Sequence, residues 1–304
     1  PTPETNTSTP SSAASDVYKR QAVDRNAQRV ATFGAAGSNH ALATAILAND
    51  IGLECTCFLT HQKYTPKVPK TLNMHRRIGT EIVRYGGSIN QLALFREHLQ
   101  RRQAWVVPLG GSSWLGSVGF VNAGLELARQ VADGEIPCPE RIYIATGTTG
   151  SSAGLLLGLA AAGLSTEVHA VCVVDAQFGS REKLLRLLQK TAVLLNRLDP
   201  SFDAHLAKRV NLVWRDEFLG GGYAIFDERM TEAVSIAKSD LGLDLETTYT
   251  GKAMAAMLHD LRSADYDGEN FLFWNTHNSR ELPVDAERPP TLENIPEEFL
   301  RYYD

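Results

Sequence analysis

Short apolar runs alternate along most of the chain with stretches whose apolar residues recur every three to four positions. "RVATFG" (Arg29–Gly34), "LECTCFL" (Leu53–Leu59), "EIVRYG" (Glu81–Gly86), "AWVVPLG" (Ala104–Gly110), "RIYIATG" (Arg141–Gly147), "EVHAVCVVD" (Glu167–Asp175), "RVNLVWR" (Arg209–Arg215) and "FLFWNT" (Phe271–Thr276) read as strands. Between them, "NHALATAILAND" (Asn39–Asp50), "KTLNMHRRIG" (Lys70–Gly79), "LALFREHLQRR" (Leu92–Arg102), "FVNAGLELARQVA" (Phe120–Ala132), "AGLLLGLAAAG" (Ala153–Gly163) and "REKLLRLLQK" (Arg181–Lys190) read as helices, with two more after Asp227 and Gly251. Ser38 is placed to cap the first helix and Gly52 to end it. Strands that alternate with helices and are themselves continuously apolar predict parallel sheet covered on both faces. The glycine-rich break at Gly110–Gly116 suggests a change of domain, giving a tail (1–21), a small α/β domain (22–121) and a large α/β domain (122–304).

The tail does not follow this pattern. Residues 1–15, "PTPETNTSTPSSAAS", hold nothing that could build a core. "DVYKRQ" (Asp16–Gln21) then runs abruptly into a helix that has no start signal. That hexapeptide resembles one reading frame of a transposon adapter used in sequencing libraries. The native N-terminus is therefore expected to be truncated, and residues 1–21 to be non-native or disordered.

Composition narrows the class. With 43% hydrophobic and 21% charged residues, the 304-residue chain reads as an ordinary globular protein. A formal charge of −5 argues against a nucleic-acid partner. "AGLLLGLAAAGL" (Ala153–Leu164), the longest strongly apolar run, is too short to cross a bilayer, so no membrane partner is expected. Four cysteines make no disulfide framework. Cys55 and Cys57 share one strand face without a second Cys/His pair nearby, and read as buried thiols of a cytoplasmic protein with no metal site.

Candidate chemistry gathers where strands end. "ATGTTGSSAG" (Ala145–Gly154) lies between an apolar strand and an apolar helix. Its N–H groups, helix dipole and the hydroxyls of Thr148 and Ser151 suit a phosphate, although the same loop could be only a tight β–α connection. "GAAGSNH" (Gly34–His40) and "PLGGSSWLG" (Pro108–Gly116) are two more such turns, and three turns at strand C-termini suit one ligand crevice. Tyr223 in "GGGYAIF" and Tyr249 in "TYTGK" are either packing residues or site residues. Lys252 is a tempting nucleophile, but a helix-start lysine bonded to backbone or solvent is the stronger reading. His169 and His259 have no partners that would make a triad.

Together "GAAGSNHA", "PLGGSSWLGSVGFVNAGLE", "ATGTTGSSAGL", "GGGYAIFDE", "YTGKA" and "FLFWNT" resemble, in order and spacing, the pyridoxal-phosphate family of D-cysteine desulfhydrase and 1-aminocyclopropane-1-carboxylate deaminase. The resemblance runs from about Ala22 to Pro283 and implies the tryptophan-synthase-β-like fold type II, with pyridoxal 5'-phosphate bound in the large domain. It implies that Thr148, Thr149, Gly150 and Ser151 hold the cofactor phosphate, that Asn39 bonds the phenolic oxygen, and that Thr276 meets the pyridine nitrogen. Ser38, Tyr223 and Tyr249 are implied as catalytic residues, and Ser38, His40, Ser112, Tyr223 and Tyr249 as substrate-binding ones. The partners implied are a small amino-acid substrate and a second copy of the chain in a homodimer.

Two departures bear on the reaction. The family's His-Thr-Gly-Gly run is "NTHN" here, with His277 and Asn278 in place of the glycines. Thr250 stands where the deaminase branch has a glutamate, which leaves the pyridine nitrogen less readily protonated and favours desulfhydrase-like β-elimination to a 2-oxo acid and ammonia, plus sulfide. The alternatives are a cyclopropane-carboxylate deaminase or amino-acid racemase and, in another class, a non-catalytic binder of phosphate-bearing ligands. The family's imine-forming lysine precedes the Ser-Asn motif by about one strand-and-helix unit. Counting back from Ser38 reaches "PSSAAS", and Lys19, the only earlier lysine, lies in the adapter-like hexapeptide. The imine-forming lysine is thus expected to be absent from this chain.

Overall fold

The computed structural model describes residues 22, 27–86, 104–225, 227–266, 268–277 and 295–303. The tail 1–21 and the helix expected at Leu92–Arg102 lie outside the described residues. Contacts group the described residues into two units, one of residues 22–111 with 295–303 and the other of residues 112–277. Each is an open parallel α/β sheet, as the alternation of elements predicts.

In the first unit the chain runs β1 (Arg29–Ala35), α1 (Asn39–Asp50), β2 (Glu54–Thr60), α2 (Lys67–Arg77), β3 (Glu81–Arg84) and β4 (Ala104–Val106). The strand order is β3-β2-β1-β4, with Val30 level with Cys55 and with Trp105. β1 reads as an uninterrupted apolar run because helices and loops cover both of its faces. "AWVVPLG" forms only a short strand, since Pro108 has no N–H to donate and Gly110 and Gly111 turn with φ of 65° and 66°. The core joins Val30, Ala45, Cys57, Leu59 and Leu72 to Phe299 and Tyr302 of a C-terminal 3-10 helix (Glu297–Tyr302). The contact boundary therefore falls at Gly111/Ser112, ahead of the expected 121/122, and residues 295–303 return to the first unit.

The second unit holds α3 (Val118–Ala132), β5 (Arg141–Thr146), α4 (Gly150–Ala161), β6 (Glu167–Cys172), α5 (Arg181–Leu198), β7 (Leu212–Arg215), α6 (Glu228–Leu241), α7 (Thr250–Leu261) and β8 (Phe271–Trp274). Its order, β7-β6-β5-β8, repeats that of the first sheet. In both sheets the chain winds outward through three strands and then places its last strand on the other side of the first. That reversal is the topological switch point, outside whose strand C-termini ligands bind. In the first unit the switch falls between β1 and β4, whose following loops carry Ser38–His40 and Pro108–Gly111. In the second it falls between β5 and β8, followed by Gly147–Thr149 and by Asn275–His277.

A polar cluster is buried at the sheet of the second unit. The Tyr143 hydroxyl donates to Asp260 Oδ2 at 2.6 Å, and Arg215 Nη1 donates to the same oxygen at 2.6 Å. His169 Nε2 lies 2.7 Å from Glu167 Oε1, and Arg141 Nε donates to Glu269 at 2.5 Å. Burial works against the Asp260 charge, but the bonds from Arg215, Tyr143 and His259 outweigh it and hold the carboxyl down to about 2. His169 and His259 are thus structural here, and neither forms a triad.

The sequence reading of α2 did not foresee His75, which is fully buried with no partner on either ring nitrogen. Burial pushes its pKa down to about 4 from an ordinary 6.5. The unfolded chain takes up this proton near pH 6.5 while the folded ring refuses it until about 4, so stability is retained above 6.5 and lost as pH falls across that window. His75→Leu is expected to remove this slope. Between pH 7 and 4.5 the native chain should lose about 2–3 kcal/mol more than the variant, as an upper bound, in urea midpoints. Equal losses in the two proteins would refute the assignment.

Candidate active site

The first unit presents its polar turn where β1 enters α1. Ser38 is buried and caps α1, its Oγ accepting from the Ala41 N–H at 3.2 Å. Asn39 is exposed, and its Oδ1 accepts from the amine of Lys67 at the start of α2. His40 Nε2 lies 3.0 Å from Thr32 Oγ1, which donates to the Val107 carbonyl at 3.1 Å. His40 is half-buried, and burial pushes its pKa down to about 4, against the hydrogen bond to the Pro108 backbone. The ring is therefore neutral at physiological pH.

Gln62 supports this turn from the end of β2. Its Oε1 accepts from the Gly37 N–H at 2.9 Å. The Tyr302 hydroxyl in turn accepts from the Gln62 N–H at 2.9 Å and donates to the Gln62 carbonyl at 2.9 Å. Sequence reasoning missed both residues. Nothing local marks Gln62, and its partner Tyr302 lies at the far end of the chain.

In the second unit, "GTTGSS" folds as a loop closing on a helix start. Thr149 takes a left-handed φ of 74°, which ends the loop, and α4 begins at Gly150. Ser151 and Ser152 thus belong to the first turn of the helix, whose leading N–H groups have no intrahelical acceptors. Ser112 Oγ accepts from the Gly150 N–H at 3.1 Å and sits 2.6 Å from Thr148 Oγ1, tying the start of "SSWLG" to the loop. A Cβ on Gly150 would stand 2.6 Å from that Ser112 Oγ. At Gly147, by contrast, a Cβ would meet only ordinary contacts, including Tyr249 Cε1 at 3.9 Å, so packing does not demand glycine there.

The tyrosines come together beside this loop. The Tyr223 and Tyr249 hydroxyls are 2.8 Å apart, with their rings edge-on and centroids at 5.9 Å. Burial raises the pKa of each, and the Glu246 carboxylate adds to the rise, so both phenols stay protonated near neutral pH. Glu246, also missed, accepts from the N–H groups of Thr248, Tyr249 and Thr250 at 2.8, 2.7 and 3.0 Å. An acidic residue just ahead of a helix was the available signal. Thr250 is buried, its hydroxyl accepting from the Glu246 N–H at 3.1 Å and donating to the Glu246 carbonyl at 3.3 Å. Thr276 follows two residues after Trp274, which pairs with Ile144 near the C-terminal end of β5. The following turn is closed by the His277 N–H donating to Asn275 Oδ1 at 2.9 Å, and Asn278 lies outside the described residues.

The sequence profile of the family described as "Pyridoxal-phosphate dependent enzyme" matches residues 12–276. The chain belongs to that family. It is 30% identical over 265 residues to D-cysteine desulfhydrase of Salmonella schwarzengrund (strain CVM19633), covering 84% of this chain and 77% of the relative. A D-cysteine desulfhydrase of Salmonella choleraesuis (strain SC-B67) is 29% identical over the same shares. Among solved structures, a homologue of ACC deaminase superposes with a TM-score of 0.69 at 24% identity, covering 87% of this chain and 78% of that one. A threonine deaminase of T.th. superposes with a TM-score of 0.60 at 18% identity, covering 90% and 84%. These likenesses identify the architecture as fold type II.

The cofactor of this family is pyridoxal 5'-phosphate. At its phosphate end the residues fit, because α4 offers a helix start, a glycine at its first position and the hydroxyls of Ser112 and Thr148. At the amine end, Lys252 offers no free amine. Lys252 is fully buried and its Nζ donates to the Leu219 carbonyl at 2.6 Å and the Gly222 carbonyl at 2.9 Å.

Proposed function

We propose that this chain is a lyase of the D-cysteine desulfhydrase kind, built for β-elimination from a small amino acid, and that its 304 residues lack the lysine that would form the imine. The products of this reaction are a 2-oxo acid and ammonia, with sulfide when the substrate is D-cysteine. The observation that carries the choice of reaction is Thr250. At the position where the deaminase branch has a carboxylate, this chain has a hydroxyl already bonded to the Glu246 backbone. Thr276 is left to serve the pyridine nitrogen as a neutral partner.

The remaining roles are those that the family resemblance implies. Thr148, Thr149, Gly150 and Ser151 hold the phosphate, and Asn39 meets the phenolic oxygen. Ser38, His40 and Ser112 contact the substrate. Bound pyridoxal phosphate supplies the electron sink for the carbanion. The Tyr223–Tyr249 pair, protonated near neutral pH, suits delivery of a proton to the departing group. Buried thiols at Cys55, Cys57 and Cys172 suit a reducing cytoplasm, and the working form is taken to be a homodimer.

Absence of the lysine is supported by two facts. Lys19 lies in "DVYKRQ", and the Lys252 amine is bonded to two carbonyls. Incubation with pyridoxal phosphate, borohydride reduction and peptide mapping should give no stoichiometric label and no sulfide from D-cysteine. A label on Lys252 or Lys19 together with turnover would overturn this part of the reading. The choice of reaction is tested separately by replacing residues 1–21 with the N-terminal segment of the Salmonella desulfhydrase that precedes the matched region. That chimera should release sulfide and ammonia from D-cysteine, whereas labelling without sulfide would reject the substrate.

A further inference from the structure

We propose that Lys252 is a positioning residue, whose buried amine fixes the Leu219–Gly222 turn and thereby sets Tyr223 against Tyr249. The inference deepens the reading of the two tyrosines as site residues and rests on it for its functional meaning. Lys252 is completely buried, and among the described residues no carboxylate lies within ion-pair distance of it. Its bonds go instead to the carbonyls of Leu219 and Gly222. Burying an ammonium costs several kcal/mol unless its protons are satisfied, so a lysine used only for packing would be inferior to leucine or methionine. Something in the turn must need a donor.

The turn itself supplies that need. Gly220, Gly222 and Ala224 have φ of 66°, 127° and 56°, a path no strand or helix ladder can stabilise. One local bond, from the Ile225 N–H to the Gly222 carbonyl at 3.3 Å, closes the turn, and a side chain long enough to cross from α7 adds a donor to that carbonyl and one to the Leu219 carbonyl. Tyr223 follows Gly222 directly. Tyr249 and Lys252 sit one helical turn apart at the start of α7, hence on one face. A single helix start therefore carries one phenol and, through the lysine, grips the loop that brings the other to 2.8 Å. Glu246 braces the same helix start from outside through three backbone N–H groups. The amine loses its freedom to act as a nucleophile in this arrangement. Burial also lowers its pKa, opposed by the surrounding Cys172, Asp227, Glu246 and Asp175.

The test uses Lys252→Met, which keeps the length and apolar stem, in protein carrying 3-fluorotyrosine. Fluorine NMR resonances of the pair are assigned with Tyr223→Phe and Tyr249→Phe. In the native background, Tyr223→Phe should shift the Tyr249 resonance because the phenols are bonded. In the Lys252→Met background that coupling should vanish, and amide exchange over residues 219–225 should rise at least tenfold while α7 stays protected. Loss of general stability alone would not uncouple two resonances well below the melting temperature. Coupling and protection that survive Lys252→Met would overturn the proposal. Should the variant fail to fold, reductive methylation of the native chain decides. Lys252 must resist modification far longer than the exposed Lys238, and equal rates would refute the claim. None of these readouts needs cofactor or substrate, so their failure leaves the functional reading standing, and an inactive chimera leaves this one standing.

Discussion

Gly158→Val is expected to abolish the folded state of the second unit. α3 and α4 pack so closely that a Cβ on Gly158 would lie 2.2 Å from the Val121 carbonyl oxygen and 3.0 Å from the Gly124 Cα. Both are backbone atoms, so no side chain can rotate away. Gly154 meets the same helix, with a Cβ position 2.3 Å from the Ser117 carbonyl. The helices would have to separate along their length, uncovering Leu155, Leu156, Leu157 and Leu159, which are almost wholly buried. Overpacking costs about 1–3 kcal/mol where a core can adjust, and more where backbone must move. Against a total stability of roughly 5–15 kcal/mol, that loss is decisive. Circular dichroism melts should show no cooperative transition at 25 °C and above, and expression should yield insoluble protein. Gly134→Asn is the control, since nothing lies within 4 Å of its Cβ position and asparagine tolerates its φ of 72°. A Gly158→Val protein melting within a few degrees of the native chain would show the helix contact to be looser than described.

These glycines also show what could be read in the sequence. "AGLLLGLAAAG" announces a buried helix, because it is apolar on every side, but the pattern does not say which face touches another backbone. The sheets were legible for the same reason: strands such as "RIYIA" and "HAVCVV" are buried on both faces and carry no alternation to misread. Ser38 could be assigned as a cap because capping is local, and the structure places its Oγ on the Ala41 N–H. What stayed hidden depends on partners distant in the chain. The C-terminal "EEFLRYY" lies beyond the last element read from the pattern, yet Phe299 and Tyr302 close the core of the first unit, and the Tyr302 hydroxyl holds Gln62. The stretch "MHRR" belongs to a helix legible from its periodicity, but nothing in that pattern marks its histidine as buried without a partner. Lys252 reads correctly as a helix-start lysine bonded to backbone. Its grip on the Tyr223 turn emerges only when residues 219–222 are placed beside it.

Gly150→Asp should weaken binding of pyridoxal phosphate by about two orders of magnitude while leaving the chain folded. An aspartate at the first position of α4 is compatible with the helix, whose dipole favours an anion there. That is the reason for the functional loss, because the carboxylate would occupy the ground that the phosphate needs. Its Cβ would stand 2.6 Å from Ser112 Oγ, so Ser112 must release both the Gly150 N–H and the Thr148 hydroxyl. The charge acts in addition. Two unit charges about 4 Å apart repel by roughly 4 kcal/mol near a protein surface, and every 1.4 kcal/mol is tenfold in affinity, so a hundredfold loss is a moderate expectation. Equilibrium dialysis can separate the terms. Gly150→Ala displaces Ser112 without adding charge and should cost less than Gly150→Asp. Unphosphorylated pyridoxal, which places no anion at the loop, should bind the native chain and Gly150→Asp alike. If pyridoxal phosphate binds Gly150→Asp as tightly as the native chain, the phosphate is held elsewhere. If Gly150→Ala and Gly150→Asp lose affinity equally, the loop acts through shape and not as an anion site.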